Sequence, residues 1–359
     1  MLSRVAENLY WLGRYLERAE NVARMAEVNY NASVEQRADG GEDAELWSAL
    51  LGALDAREAF EAAHRTDPTL SPGHWLIFSE ANPASLRSTV GLARSLAREL
   101  REHVSREVFE EINLLYLSAA RAPHATGMRP FTASVKRTVA AIIGLFDNTV
   151  LLNEGREWLR CGLFIERADM TSRIVDAKYF ILLPSPQDVG GTLDTYQWMG
   201  ILRSASALEA FRKRYRGAIT GVHVAELLML DEDFPRSLRF CVAALARHFE
   251  RATEATPRAQ ALPAARELAV LQLELGAAYA AEIVESGLHE FLDEFQVGLG
   301  RIHHAMTDGM FRASPVAFAL MQAGWPLQSR LRGGIRWRFT PPVRDAGGGT
   351  EDGQRKGPG

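Results

Sequence analysis

Apolar residues recur near the start of the chain at alternating steps of four and three positions. This spacing places them on one face of an α-helix. Ser3 is a suitable N-cap residue, so we predict a helix from about residue 3 to about residue 32. The polar stretch at residues 35–43, which contains two glycines, then predicts a loop. The apolar series is Val5, Leu9, Leu12, Leu16, Ala19, Ala23 and Ala26.

Helical periodicity continues through the rest of the chain. We predict further helices at 44–64, 83–103, 106–118 and 133–153, and Asn82-Pro83 as the start of the second of these. Few stretches show strand alternation, and none is flanked by the turn residues of a hairpin. The sequence therefore predicts an all-α protein, folded as a helical bundle.

A charged motif occurs twice on this helical frame. Gly13-Arg14-Tyr15-Leu16-Glu17-Arg18-Ala19-Glu20 is followed by Arg24, and Gly162-Leu163-Phe164-Ile165-Glu166-Arg167-Ala168-Asp169 is followed by Arg173. In both copies a glycine, a glutamate, an acid and an arginine lie at i, i+4, i+7 and i+11, which is one line along a helix. This line is about 100° from the apolar face, so it borders the core.

Further sequence blocks repeat at nearly the same offset. The motif copies are 149 residues apart, Trp47-Ser48-Ala49-Leu50-Leu51 resembles Trp198-Met199-Gly200-Ile201-Leu202 at 151, and Pro83 with Ser85-Leu86-Arg87 matches Pro235 with Ser237-Leu238-Arg239 at 152. We predict two pseudo-repeats of about 150 residues. Residues 1–150 and 151–315 would pack as one domain. Residues 316–359 would form a C-terminal extension, disordered after about residue 340 because it is rich in glycine and polar residues.

The repeated charges permit a structural and two functional interpretations. If the two helices pack about a pseudo-twofold axis, Glu17 meets Arg167 and Glu166 meets Arg18 in a buried ion-pair network. Alternatively, carboxylates in a shared cleft could bind a hard divalent cation or act as acid and base, and arginines could bind a carboxylate or phosphate. The missing Glu-x-x-His pairs disfavour iron. The candidate cluster is Arg14, Glu17, Arg18, Glu20, Arg24, Glu166, Arg167, Asp169 and Arg173.

Composition excludes several classes of function but does not identify the function of the chain. The formal net charge is -4, from 41 basic and 45 acidic residues, so nothing favours a nucleic-acid partner. No signal peptide and no run of about 18 apolar residues occurs, so we expect a cytoplasmic protein without a membrane partner. Cys161 and Cys241 are expected to be buried, reduced thiols, and His303-His304 to lie on the surface. No motif identifies a reaction or a cofactor.

Several of these segments together resemble the Alpha-E family, bacterial helical proteins named for a Glu-Arg signature. The resemblance rests on residues 1–21, 82–83, 166–171, 204–207 and 230–237 and extends to about residue 315. The second copy departs from the family pattern, because Leu163 stands where the first copy has Arg14. A ligand at the motif would therefore contact the first copy more than the second.

The resemblance also implies partners. Alpha-E proteins are typically encoded beside, or fused to, an ATP-grasp ligase and a transglutaminase-like protein, a set that resembles a system for making and trimming amide-linked peptides. The expected role is an accessory subunit that presents a peptide or partner surface through the twin Glu-Arg helices. An enzyme of the same system, or a purely structural network, are the alternatives.

Overall fold

The computed structural model describes residues 1–38, 44–125, 127–180 and 189–311. Within these ranges it contains fifteen α-helices and no strand, which confirms the all-α prediction. The helices are α1 (Ser3–Ala38), α2 (Ala44–Ala53), α3 (Arg57–Thr66), α4 (Pro72–Ile77), α5 (Leu86–Glu99), α6 (Arg106–Ala125), α7 (Met128–Thr149), α8 (Glu154–Asp176), α9 (Thr192–Ser204), α10 (Leu208–Arg214), α11 (Gly221–Ala225), α12 (Leu238–Ala252), α13 (Arg258–Ala277), α14 (Ala280–Ser286) and α15 (Leu288–Met306). Helices α11 and α15 continue into π-helical turns, Glu226–Leu230 and Thr307–Phe311.

Helices α1 and α8 form the centre of the molecule and pack against each other over their length. On its other sides α1 packs against α5 and α7, and α6 contacts both of these helices. In the same way α8 packs against α12 and α15, and α13 contacts both of them. In α1, residues 6–26 are buried except for Asn8. The prediction that only one face of α1 is buried was therefore wrong. Neighbouring helices cover α1 on every side, including the side that carries the line of charged residues.

Several predicted helix boundaries were wrong. Helix α1 ends six residues later than predicted, and the helix predicted at 44–64 is two helices, because Asp55 adopts a left-handed conformation with φ of 51°. The helix predicted to begin at Pro83 begins at Leu86, where the Ser85 hydroxyl accepts a hydrogen bond from the Ser88 amide at 3.1 Å. Helix α6 extends to Ala125, and α7 starts five residues and ends four residues before its predicted limits.

The short helix α4 was not predicted. Two other predictions fall partly or wholly outside the described residues. The loop predicted at 35–43 overlaps the end of α1, and residues 39–43 lie outside the described ranges, as does the extension at 316–359 that was predicted to be disordered after about residue 340.

Some backbone features recur at the offsets predicted for the duplication. Asp55 and Ser206 are 151 residues apart and both have a φ close to 50° after a helix that carries a buried tryptophan. Ser85 and Ser237 are 152 residues apart and both accept a hydrogen bond from the amide three residues later. These pairs agree with the predicted spacing, and the duplication itself stays a prediction, as do the boundaries of its two halves.

Candidate functional site

Two glycines let the backbones of α1 and α8 touch where they cross. A Cβ atom placed on Gly13 would lie 2.2 Å from the carbonyl oxygen of Leu159, and one placed on Gly162 would lie 1.8 Å from that of Tyr10. Real Cβ atoms do not approach backbone oxygens this closely. The glycines of the repeated motif are therefore required for the approach of the other helix.

The carboxylate of Glu166 lies beside this crossing and is held by two arginines of α1. Arg14 Nε donates to Oε2 at 2.7 Å, Arg18 Nε donates to Oε1 at 2.5 Å, and Arg18 Nη2 donates to Oε2 at 3.1 Å. Arg14, Arg18 and Glu166 are all buried. The predicted contact between Glu166 and Arg18 is confirmed, and Arg14 completes it.

The carboxylate of Glu17 is held in the reciprocal way from α8. Arg167 donates through Nε to Oε1 at 2.9 Å and through Nη2 to Oε2 at 2.7 Å, which confirms the second predicted contact. Asn21 Nδ2 donates to Oε1 at 2.9 Å. Leu163 cannot supply the second guanidinium that Arg14 gives to Glu166. Arg236, just before α12, supplies it through Nη1 to Oε1 at 3.1 Å.

The two carboxylates are stabilised in their charged form. Burial alone raises the pKa of Glu17, but the charges of Arg167 and Arg236 and the hydrogen bonds outweigh burial and lower the pKa to about 2. Burial likewise opposes the charged form of Glu166, and Arg18 and Arg14 hold its pKa below the ordinary value. Burial disfavours the charge of Arg14 as well, but Glu166 raises its pKa above the ordinary value. Both glutamates therefore remain ionised at neutral pH.

The remaining predicted residues extend the network at both ends. Arg236 Nη2 donates to Glu20 at 3.0 Å, and Arg24 forms hydrogen bonds with Glu20 and with the hydroxyl of Ser206. On α8, Arg173 Nε donates to Asp169 Oδ2 at 3.0 Å, and Arg173 Nη1 donates to the carbonyl oxygen of Ala53 at 3.3 Å. The nine candidate residues thus lie in three hydrogen-bonded groups on α1 and α8: Glu166 with Arg14 and Arg18, Glu17 and Glu20 with Arg167 and Arg24 through Arg236, and Asp169 with Arg173.

The two glutamates at the centre of the cluster have little capacity to bind another ligand. Both oxygens of Glu17 and of Glu166 already accept hydrogen bonds from guanidinium groups, which also repel a cation. In the described part of the chain no group of three or more His, Cys, Asp or Glu side chains could hold a metal ion. The geometry therefore favours the predicted ion-pair network over the cation or acid–base alternatives. Cys161 and Cys241 are buried and free, as predicted.

Sequence reasoning missed or misplaced three residues. Arg236 lies in segment 230–237, and because no local pattern links it to Glu17 the sequence does not predict this contact. His303 was expected on the surface but is buried, where its Nδ1 lies 2.9 Å from the hydroxyl oxygen of Tyr10 and burial lowers its pKa well below the ordinary value. Glu7 is buried with no hydrogen-bond partner for either carboxylate oxygen among the described residues, and burial raises its pKa to about 7.

Comparison with known proteins gives a family match for most of the chain. The model of the Alpha-E family, described as a predicted alpha-helical domain with a conserved ER motif, matches residues 1–311. No curated protein and no solved structure matches the chain. Among the described helices, none is both long and apolar enough to cross a membrane.

Proposed function

Because the chain belongs to the Alpha-E family, we propose that it is a non-catalytic accessory subunit of a cytoplasmic, ATP-grasp-linked system that makes or modifies peptides. In this proposal the Glu-Arg network is the rigid centre that fixes α1 against α8. A surface elsewhere on the bundle presents a peptide to the partner enzyme. The observation that carries the proposal is the saturation of Glu17 and Glu166 by Arg167, Arg236, Arg14 and Arg18.

The protonation state of the glutamates supports scaffolding over catalysis. A general acid or base works best with a pKa near the operating pH. The pKa of Glu17 is about 2, so its carboxylate holds no proton to donate near pH 7 and accepts one poorly. The side chain is also fully buried, so a substrate would have to displace Arg167 or Arg236 to reach it.

The proposed partners are a separate ATP-grasp ligase and a separate transglutaminase-like protein. Their support is the family membership of the chain together with the association that Alpha-E proteins have with these enzymes. An accessory subunit also agrees with a sequence in which no motif for phosphate binding or nucleophilic attack was found.

Co-elution with the ligase tests the accessory role. The purified chain and an ATP-grasp ligase from the same organism are mixed at micromolar concentration, with and without ATP and peptide, and separated by size exclusion. We expect one complex. A chain that stays free in the presence of the ligase and its substrates contradicts the proposal.

A Glu17→Gln variant separates the accessory role from the catalytic alternative. Assayed below its melting temperature, this variant should support the same turnover by the ligase as the unchanged chain, because Glu17 performs no chemistry. Loss of turnover by a variant that is still folded and still bound would favour the enzyme.

A further inference from the structure

A large open cavity lies at the C-terminal end of α1, beyond the Glu-Arg network. Its volume is about 920 Å³, and its walls are α1, α2, the first turn of α7, the end of α8 and α9. This volume is in the range of pockets that hold small molecules or short peptides, roughly 300–1,000 Å³. None of the nine residues of the Glu-Arg cluster lines it.

The cavity combines a buried apolar floor with exposed apolar walls. Met25, Leu50 and Ile174 are buried at its base. Tyr30 and Tyr196 line it with 36% and 38% of their surface exposed. Val34 and Leu193, also in its wall, are among the exposed large apolar side chains. A concentration of exposed apolar and tyrosine side chains on one concave surface is typical of a binding site.

The charges in this cavity favour an anionic ligand. Arg129 and Arg203 line it, are exposed, and have no ion pair or side-chain hydrogen bond with any residue that the structure describes. Among the described residues that line the cavity the acid is Glu35, which already accepts a hydrogen bond from the Tyr196 hydroxyl at 2.8 Å. A guanidinium group can bind a carboxylate through two parallel hydrogen bonds.

A second cavity makes the site elongated. Its volume is about 470 Å³, and it shares Tyr30 and Val34 with the first cavity. Trp47, Phe60 and Pro72 line it, together with one arginine and one glutamate. The two cavities therefore adjoin at the side chains of Tyr30 and Val34, and an extended chain fits this shape better than a compact ligand.

We propose that these two adjoining cavities form a groove that binds an extended peptide with acidic and apolar side chains. The apolar side chains enter the floor at Met25 and Ile174, and carboxylates pair with Arg129 and Arg203. This inference rests on the proposed accessory function, because it identifies the surface that presents a peptide to the ligase.

A cavity-filling variant tests the location of the site. Gly200 lies in α9 in the wall of the first cavity, and a Cβ atom placed on it meets no atom within 4 Å. Gly200→Trp should therefore place an indole in the groove without disturbing the fold. Gly144→Trp is the matched control, since Gly144 is also half-buried, also within a helix and also faces open space, but lies outside the groove.

Binding is measured on an array of immobilised hexapeptides that vary in acidic, basic and apolar content. We expect the unchanged chain to select acidic–apolar peptides. Fluorescence anisotropy with the best peptide should then show at least about tenfold weaker binding by Gly200→Trp and unchanged binding by Gly144→Trp.

A charge-reversal pair tests the chemistry. The double variant Arg129→Glu/Arg203→Glu should also weaken binding at least about tenfold. The control is Arg137→Glu/Arg247→Glu, which changes the net charge equally at two exposed arginines outside the groove. Equal effects of both pairs would mean that only the overall charge matters, which would overturn the site.

Other outcomes also overturn the inference. Selection of basic or neutral peptides, binding of no peptide, or full displacement by inorganic phosphate would each exclude an acidic peptide as the occupant. Co-elution of the same variants with the ligase is measured in parallel. A ligase complex without peptide binding overturns the groove alone, whereas a missing complex contradicts the accessory function.

Discussion

Removing the charge of Glu166 is the most direct test of the network as a structural element. Glu166→Gln keeps the side-chain shape but replaces a carboxylate that accepts three hydrogen bonds, all from guanidinium groups. The new amide NH₂ group would face a guanidinium instead of accepting from it. Arg14 and Arg18, which are at most 4% exposed as side chains, would then stay buried but lose the negative charge of Glu166.

The expected loss of stability follows from this burial. Breaking a buried ion pair by removing one partner costs roughly 3–5 kcal/mol, because the remaining charge stays desolvated. An unfolding entropy of about 2.1 cal/mol/K per residue over the roughly 300 residues that the structure describes converts this cost to a fall in melting temperature of about 5–8 °C.

Thermal unfolding followed by circular dichroism and calorimetry measures the change. Glu110→Gln is the control, because Glu110 forms an i,i+4 pair with Arg106 at 2.6 Å whose side chains are 52% and 87% exposed. An exposed helical pair of this kind contributes only about 0.3–0.5 kcal/mol. If Glu166→Gln unfolds within 1 °C of the unchanged protein, the buried network does not hold α1 against α8 and the reasoning is wrong.

Three further predictions follow from the same contacts. Gly162→Ala should destabilise the protein by at least about 3 kcal/mol, because the new Cβ atom would lie 1.8 Å from the Tyr10 carbonyl oxygen. The control Gly144→Ala, where the Cβ atom faces open space within α7, should be neutral or stabilise the protein by up to about 1 kcal/mol. Urea unfolding of both variants measures these changes. Arg236→Met should leave Glu17 with one guanidinium partner, so the pKa of Glu17 should rise from about 2. The stability that ionised Glu17 contributes is present above pH 4.5 and lost as the pH falls toward 2, and acid unfolding should show a smaller contribution in this variant. An unchanged acid transition would count against the role of Arg236. Burial raises the pKa of Glu7 to about 7, so the folded state favours the protonated form of its carboxyl group. The stability linked to this protonation, about 2–3 kcal/mol, should be present below pH 4.5 and lost as the pH rises through 7. Glu7→Gln should remove this pH dependence and melt at a higher temperature than the unchanged chain at pH 8.

The sequence predicted the central contacts of the site with few errors. Helical spacing placed Glu17, Glu166 and their neighbouring arginines on matching lines of the two motif helices. Pairing each glutamate with the arginine of the other copy then needed only the assumption that the two helices pack reciprocally. The contacts of Glu17 with Arg167 and of Glu166 with Arg18 agree with that assumption.

Helix boundaries were harder to predict, because they depend on single residues. The break between α2 and α3 rests on the left-handed conformation of Asp55, which is uncommon for residues other than glycine. The start of α5 rests on the choice between Asn82-Pro83 and Ser85 as the capping site. Both alternatives satisfied the local rules.

By itself, the sequence determined the all-α class, the two motif helices and the charged residues that meet at their crossing. These depend on periodicity within a helix, which the order of residues records directly. Only the tertiary structure decided that Arg236 replaces the arginine missing at Leu163, that Glu7 is buried without a hydrogen-bond partner among the described residues, and that two adjoining cavities lie beyond the network. Each of these depends on which distant segments pack together, and no local pattern specifies that packing.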